Sequence, residues 1–275
     1  MIEAIDRFRR IDEPIRVVFP AFHGKVPVDA YVTGHLPDFG DYLGVQSLVL
    51  LEEQVRAVYP SGLKIFLLHE GQLYTDTPLV GTPDQVHAYL SRLRQLLAEY
   101  DFIESVSAAD MLSGLCDGCD LIPFFEDNYA EPLEDPEAVR ALGDSYVDLY
   151  MAYKTMYTEI LLRQATMSKS KARRQSRRHA VRQISRYIGF GWLVKEYFQD
   201  RDFLKFTVIN KTDENSKDIP MSYLPRTAVN GTPLLNSTVF DHGFKFMKAE
   251  QAMAAGYVPV KRHGFDLFMR PSTYA

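Results

Sequence analysis

Residues 15–69 read IRVVFPAFHGKVPVDAYVTGHLPDFGDYLGVQSLVLLEEQVRAVYPSGLKIFLLH, and the fold class follows from this stretch. Ile15 to Phe19 is an apolar run with one Arg, bounded by Pro20, which is the pattern of a buried strand. Val45 to Val58 carries apolar residues at three-to-four spacing and predicts a helix packed on a sheet. Tyr59-Pro60-Ser61-Gly62 supplies its stop. Leu63 to His69 is a second apolar run, ending in Glu70-Gly71. Strand, helix and strand at this spacing form a βαβ unit, which requires parallel strands. The expected class is α/β: a Rossmann-like, mostly parallel sheet with flanking helices and a helical insert.

The loop between the first strand and the helix is the expected site. Pro20, Gly24, Pro27, Gly34, Pro37 and Gly40 punctuate it, so it is a shaped loop rather than a helix. A strand end running into a glycine-containing loop is where open α/β sheets place their ligands. His23, Lys25, Asp38 and Asp41 all fall here.

Outward from this unit, Met1 to Pro14 is polar and expected to be peripheral. Thr82-Pro83-Asp84 starts a helix running to about Tyr100, with Thr82 as N-cap and Pro83 in the first turn. Phe102 to Val106 is a short strand candidate. Asp110 to Asp135 is acidic and reads as a long irregular segment, which in a compact domain is functional or mobile. Pro136 to Phe198 is mostly helical and carries the basic run Lys169 to Arg186. Lys205 to Ile209, Thr238 to Phe240, Tyr257 to Val260 and Phe265 to Met269 read as strands, and Phe246 to Ala255 as a short helix closed by Gly256. The expected organisation is an N-terminal βαβ portion with the motif loops (1–135), a helical segment (136–200), and C-terminal strands completing the same domain (201–275).

Totals narrow the function classes. The chain has 275 residues, 46% hydrophobic, with a formal net charge of −5, which argues against nucleic-acid binding driven by overall charge. The N-terminus lacks the apolar core of a signal peptide, and no apolar run approaches membrane-spanning length. A cytoplasmic, reducing setting is expected. Cys116 and Cys119 form a single C-x-x-C with no second pair, so neither a zinc site nor a redox motif is indicated, and two free thiols in a loop are expected.

The order of segments is more telling than any one of them. Pro20-Ala21-Phe22-His23-Gly24-Lys25, Leu36-Pro37-Asp38-Phe39-Gly40-Asp41, Tyr59-Pro60-Ser61-Gly62, and Glu70-Gly71 followed by Asp76 resemble the isocyanide (isonitrile) synthase family of the pyoverdine/dityrosine-biosynthesis type. Its pattern runs Pro-Ala-Phe-Pro-x-Lys, Leu-Pro-Asp-x-Gly-Glu, Tyr-x-Pro-Gly, Asp-Gly-x-x-x-x-Asp. The resemblance covers about the first hundred residues well and the remainder loosely. It implies conversion of the α-amino group of an amino acid, aromatic by expectation, to an isonitrile, with ribulose 5-phosphate as carbon donor. It implies no metal and no organic cofactor, small-molecule substrates, neither nucleic acid nor membrane as partner, and a downstream oxygenase acting on the product. Oligomeric state is not implied.

Site residues follow position by position. Lys25 matches the family's loop lysine, and an ammonium there binds an anion or exchanges a proton; its plain alternative is a solvated loop lysine. Asp38 and Asp41 are carboxylates for a substrate ammonium or for base catalysis, or simply helix caps. Glu70 and Asp76 stand where the family has Asp, at a strand end suited either to a site or to a tight turn. His23 replaces a family proline and would carry protons beside Lys25. Lys25, Asp38, Glu70 and His23 are the expected catalytic set; Asp41, Asp76, Arg186, Lys205, Thr207 and Thr232 are the expected substrate contacts. Arg174, Arg178, Arg182 and Arg186 form one helical stripe. Its default is a solvated face, then a phosphate site, then nucleic acid. The C-terminal part departs from the family: Ile209 replaces a histidine in Arg-Leu-Ser-Ile-His-Pro, and Leu234-Leu235 replaces Trp-His after Thr232-Pro233. The alternatives are therefore a divergent member with another amine or sugar-phosphate reaction, or a non-catalytic phosphate-ligand-binding protein.

Overall fold

The computed structural model of the chain describes residues 2–164, 167–199, 202–207, 219–220 and 234–271. The expected contact Thr232 and the departure at Ile209 lie outside these residues.

The decisive stretch folds as its periodicity requires. β1 (Ile15–Pro20) runs into the site loop, α2 (Phe39–Arg56) follows, and β2 (Leu63–His69) pairs in parallel with β1 from Ile15↔Leu63 to Pro20↔Leu68. After α3 (Pro83–Leu97), β3 (Ile103–Ser107) adds in parallel to the outer edge of β2. The chain then crosses back. β4 (Leu204–Thr207) pairs with the free side of β1, and β5 (Ile219–Pro220) with β4, giving the all-parallel order β3-β2-β1-β4-β5. The winding reverses at β1, so the crevice beyond the C-terminal ends of β1 and β4 is the topological switch point.

Strand side chains alternate between two layers, as the two-residue repeat demands. Val17, Phe19, Ile65 and Leu67 pack with Leu48 of α2 and Leu90 and Leu93 of α3. Val18, Phe66 and Leu68 point the other way, onto Phe190, Leu193 and Val194 of α8 (Lys169–Tyr197). The helical insert is α6 (Pro136–Ala141), α7 (Asp144–Gln164) and α8, with α7 and α8 packed along one another.

Several expectations are corrected. Within the N-terminal stretch, α1 (Ile2–Ile11) buries Phe8, and the Tyr59 hydroxyl donates to the carbonyls of Phe8 (3.1 Å) and Glu13 (2.6 Å). α2 starts at Phe39 rather than Val45 because Asp38 and Asp41 form a reciprocal capping box over glycine-containing turns that look irregular in sequence. The acidic 110–135 segment holds α4 (Ala108–Met111) at its start and α5 (Leu121–Asn128), which buries Phe125 beneath the acidic surface. Residues 244–247 form strand β7 (Phe244–Met247), leaving only α9 (Ala249–Ala254) of the expected helix. Cys116 and Cys119 are disulfide-bonded, not free, their Cα atoms 5.2 Å apart, within bridging range. The helix start at Thr82-Pro83 is as expected, with Thr82 and Gln85 closing a capping box.

β6 (Ser237–Phe240), β7, β8 (Val258–Arg262) and β9 (Phe265–Met269) form a second sheet in the order β7-β6-β9-β8, parallel only between β6 and β9. It closes over the start of α2, where the Phe39 and Phe244 rings lie 5.3 Å apart and Tyr42 lies 5.3 Å from Phe265. A side chain at Gly40 would come within 2.7 Å of Phe246 and of the Thr238 hydroxyl, so only glycine allows this approach. Among the described residues no helix is long and apolar enough to cross a membrane.

Candidate active site

Two features shape the loop leaving β1. Phe22 takes a left-handed conformation (φ 59°), costly for a bulky residue, and Gly24 sits at φ 129°, where glycine is favoured. Gly71, just past β2, lies so close beneath the loop that an added Cβ would stand 1.7 Å from the His23 carbonyl oxygen. The loop is thus pressed onto the end of β2, and this brings His23 to Glu70: Nε2 and Oε1 are 3.7 Å apart. The Glu70 carboxylate also accepts from the Tyr74 hydroxyl (2.9 Å) and raises the pKa of the buried Tyr74 and Tyr153 phenols, adding to the larger effect of burial. His23 keeps 25% of its side chain exposed, whereas Glu70 keeps 9%.

Lys25, Asp38 and Asp41 form a second cluster, sealed from solvent. Lys25 Nζ lies 2.7 Å from Asp41 Oδ2 and 3.1 Å from Asp38 Oδ2, and its side chain is 1% exposed. Burial works against the ammonium, but the two carboxylates outweigh it and raise the lysine pKa. Asp38 Oδ1 accepts from Gly40 N–H (2.8 Å), and Asp41 accepts from Asp38 N–H (2.9 Å) and from the Tyr89 hydroxyl (2.9 Å). Among the described residues one cation faces these two carboxylates. Burial, with the Asp41 charge adding to it against the attraction of Lys25, pushes Asp38 up to about 6.

Asp76 and Arg186 form a third cluster. The Arg186 guanidinium, fully buried, makes a two-point contact with Asp76 (2.7 and 2.9 Å), and it donates to Glu126 (2.8 Å) and to the Leu73 carbonyl. Arg182 joins from one turn earlier, 2.6 Å from Asp76 and 2.6 Å from Glu126. Although partial burial raises carboxylate pKa values, the arginines hold both Asp76 and Glu126 below the usual range. Among the described residues two cations meet two anions, which leaves no excess positive charge for a phosphate there. Further along the stripe, Arg174 and Arg178 are exposed on α8.

At the β4 end, Lys205 is half-buried beside Val18 of β1, and Thr207 is buried at the strand terminus, on the switch-point side. Among the described residues no three His, Cys, Asp or Glu side chains converge as a metal would require. The expected residues therefore fall into three clusters and a strand end, not into one constellation. His69, Tyr74, Tyr153, Tyr157 and Gln183 are additional polar groups around the site that sequence reasoning missed. Tyr157 donates to Gln183 Oε1 (2.8 Å). Tyr153 and Tyr157 stand four residues apart on α7, a spacing that also describes ordinary core packing, so no local signal marked them.

The sequence profile of the pyoverdine/dityrosine biosynthesis protein family matches residues 5–257. The chain belongs to that family. L-tryptophan isonitrile synthase AmbI1 of Fischerella ambigua is 25% identical over 240 residues, 86% of this chain and 74% of its own length. An L-tyrosine isonitrile synthase of Xenorhabdus nematophila is 28% identical over 193 residues, 68% of this chain and 57% of its own. The crystal structure of PvcA from Pseudomonas aeruginosa superposes with a TM-score of 0.85, covering 98% of this chain and 90% of that one at 24% identity. The fold and the family expected from the ordered N-terminal segments are thereby both borne out.

Proposed function

We propose that this family member is an isonitrile synthase, which joins the α-amino group of an aromatic amino acid to a carbon of ribulose 5-phosphate. The observation that carries the reading is the His23–Glu70 pair, seated with part of the imidazole exposed beyond the ends of β1 and β2; membership of a family whose relatives are named as isonitrile synthases supports it. The amine must lose a proton before it attacks the sugar ketone; water leaves to give the imine, and both carbon–carbon bonds to the former carbonyl carbon then break, the rest of the sugar phosphate departing, to leave the isonitrile. In this reading His23 and Glu70 move that proton. Lys25, Asp38 and Asp41 fix the loop and the start of α2 by charge. Asp76 and Arg186 hold the turn after β2, and Lys205 with Thr207 faces the sugar phosphate. Soluble substrates suffice, and the product would pass to an oxygenase.

A second reading rests on Leu235, which packs in an apolar cluster with Val26, Tyr31 and Ile160 where the family resemblance expects histidine. It would make the protein a binder of sugar phosphates without turnover. One assay separates the two. The protein is incubated with ribulose 5-phosphate and a pool of amino acids, and the mixture is analysed by mass spectrometry. A new isonitrile, lost in His23→Ala and Glu70→Gln, supports the enzyme. A thermal shift with ribulose 5-phosphate and no product supports the binder.

A further inference from the structure

His69, the last residue of β2, is fully buried and belongs to none of the clusters above. Its Nδ1 lies 3.0 Å from the Ala21 carbonyl oxygen and 3.2 Å from that of Phe22. Carbonyl oxygens only accept, so Nδ1 carries the proton. Nε2 lies 2.9 Å from Ser105 Oγ on β3, and Ser105 Oγ lies 3.4 Å from Arg94 Nε on α3. Arg94 only donates, so the directions agree along the whole chain: Arg94 N–H to Ser105, Ser105 O–H to His69 Nε2, His69 Nδ1–H to the carbonyls of Ala21 and Phe22. Burial keeps the imidazole neutral, pushing its pKa down to about 4.

The two carbonyls it holds flank the strained Phe22 and immediately precede His23. A left-handed phenylalanine persists only where surrounding contacts over-determine it. We propose that His69 is a positioning residue: through Ser105 and Arg94 it locks the 21–25 loop so that His23 meets Glu70. This rests on the proposed role of His23.

Two sets of measurements test it, one independent of turnover. In the native protein, nitrogen NMR of the histidines should show a neutral ring protonated at Nδ1 that does not titrate near neutrality; a ring protonated at Nε2 would overturn the proposal. Amide exchange over residues 21–25 should rise in His69→Leu and in the milder Ser105→Ala; unchanged protection in both would also overturn it. These readings stand whether or not the protein makes an isonitrile. For turnover, misplacing a reacting group by about 1 Å costs about 100-fold, so His69→Leu should lose roughly that in kcat with KM nearly constant. Ser105→Ala, lacking the bond to His69 Nε2 and the longer contact from Arg94, should lose about threefold to tenfold. His69→Asn restores an N–H near the Nδ1 position and should recover part of kcat. A purely structural histidine would instead give equal thermal losses in Leu and Asn variants with no kcat-specific rescue, and that result would sink the proposal.

Discussion

Lys25, Asp38 and Asp41 show how much one residue's charge state depends on its neighbours. One ammonium neutralises one carboxylate, and among the described residues the second must then be buried with its charge or keep a proton. Asp38, pushed up to about 6, keeps the proton longer than an ordinary aspartate at 3.8. A carboxyl whose folded pKa is raised stabilises the protein fully below its unfolded value, and that contribution is lost as pH rises through the folded value. Stability from Asp38 therefore falls between about pH 4 and pH 6, by at most about 3 kcal/mol at about 1.4 kcal/mol per unit. Asparagine caps helices as well as aspartate does, so Asp38→Asn removes the charge and keeps the cap. Urea unfolding from pH 4 to pH 8 should show Asp38→Asn free of that decline and at least as stable as the native protein at pH 7. A difference curve flat across this window would refute the charge assignment. His69 slopes the other way, since its depressed pKa loses stability as pH falls from 6.5 towards 4. The Asp38 effect is therefore read from the variant difference and not from the native curve.

At the scale of elements, the turn after β2 is held by its links to α8 and α5. Arg186 spends its N–H groups on Asp76, Glu126 and the Leu73 carbonyl, so one side chain ties three segments together. Lysine at this position would keep the charge and lose the planar fork, leaving partly buried carboxylate oxygens and the buried Leu73 carbonyl short of donors. Breaking a buried pair typically costs 3–5 kcal/mol, and Arg186→Lys, which retains charge, should cost about 2–4 kcal/mol in urea unfolding. An unfolding midpoint equal to that of the native protein would show that the turn does not depend on this fork. The same commitment explains why the four-residue arginine stripe reads two ways in sequence. Arg174 and Arg178 meet solvent, whereas Arg186, on the same stripe, is interior.

For the whole molecule, the question is whether the second sheet is a separate unit. Phe265 and Leu267 of β9 belong to the same apolar cluster as Val17, Ile65 and Leu93, so the second sheet shares its core with the parallel sheet. Shared burial makes unfolding cooperative, because neither side can open without exposing the other's apolar surface. Calorimetry should therefore give a single transition with equal calorimetric and van't Hoff enthalpies. Two resolved transitions would mean that residues 234–271 fold as their own unit.

Sequence alone determined the βαβ unit, the parallel pairing of its strands, the helix start at Thr82-Pro83 and the family, because hydrophobic period, caps and ordered motifs act over a few neighbouring residues. Lys25, Asp38 and Asp41 were legible as a group for the same reason: they share one loop. The strand at Phe244–Met247 and the helix within the acidic segment were not, since each is settled by what packs on it. Only the tertiary structure decided which residues meet. The register Pro20↔Leu68 carries His23 to Glu70 and His69 to the carbonyls of Ala21 and Phe22, and the packing of α8 carries Arg186 to Asp76. Those contacts join residues far apart along the chain, and no local pattern encodes them. They exist because the buried core leaves each of these polar groups one place to find its partner.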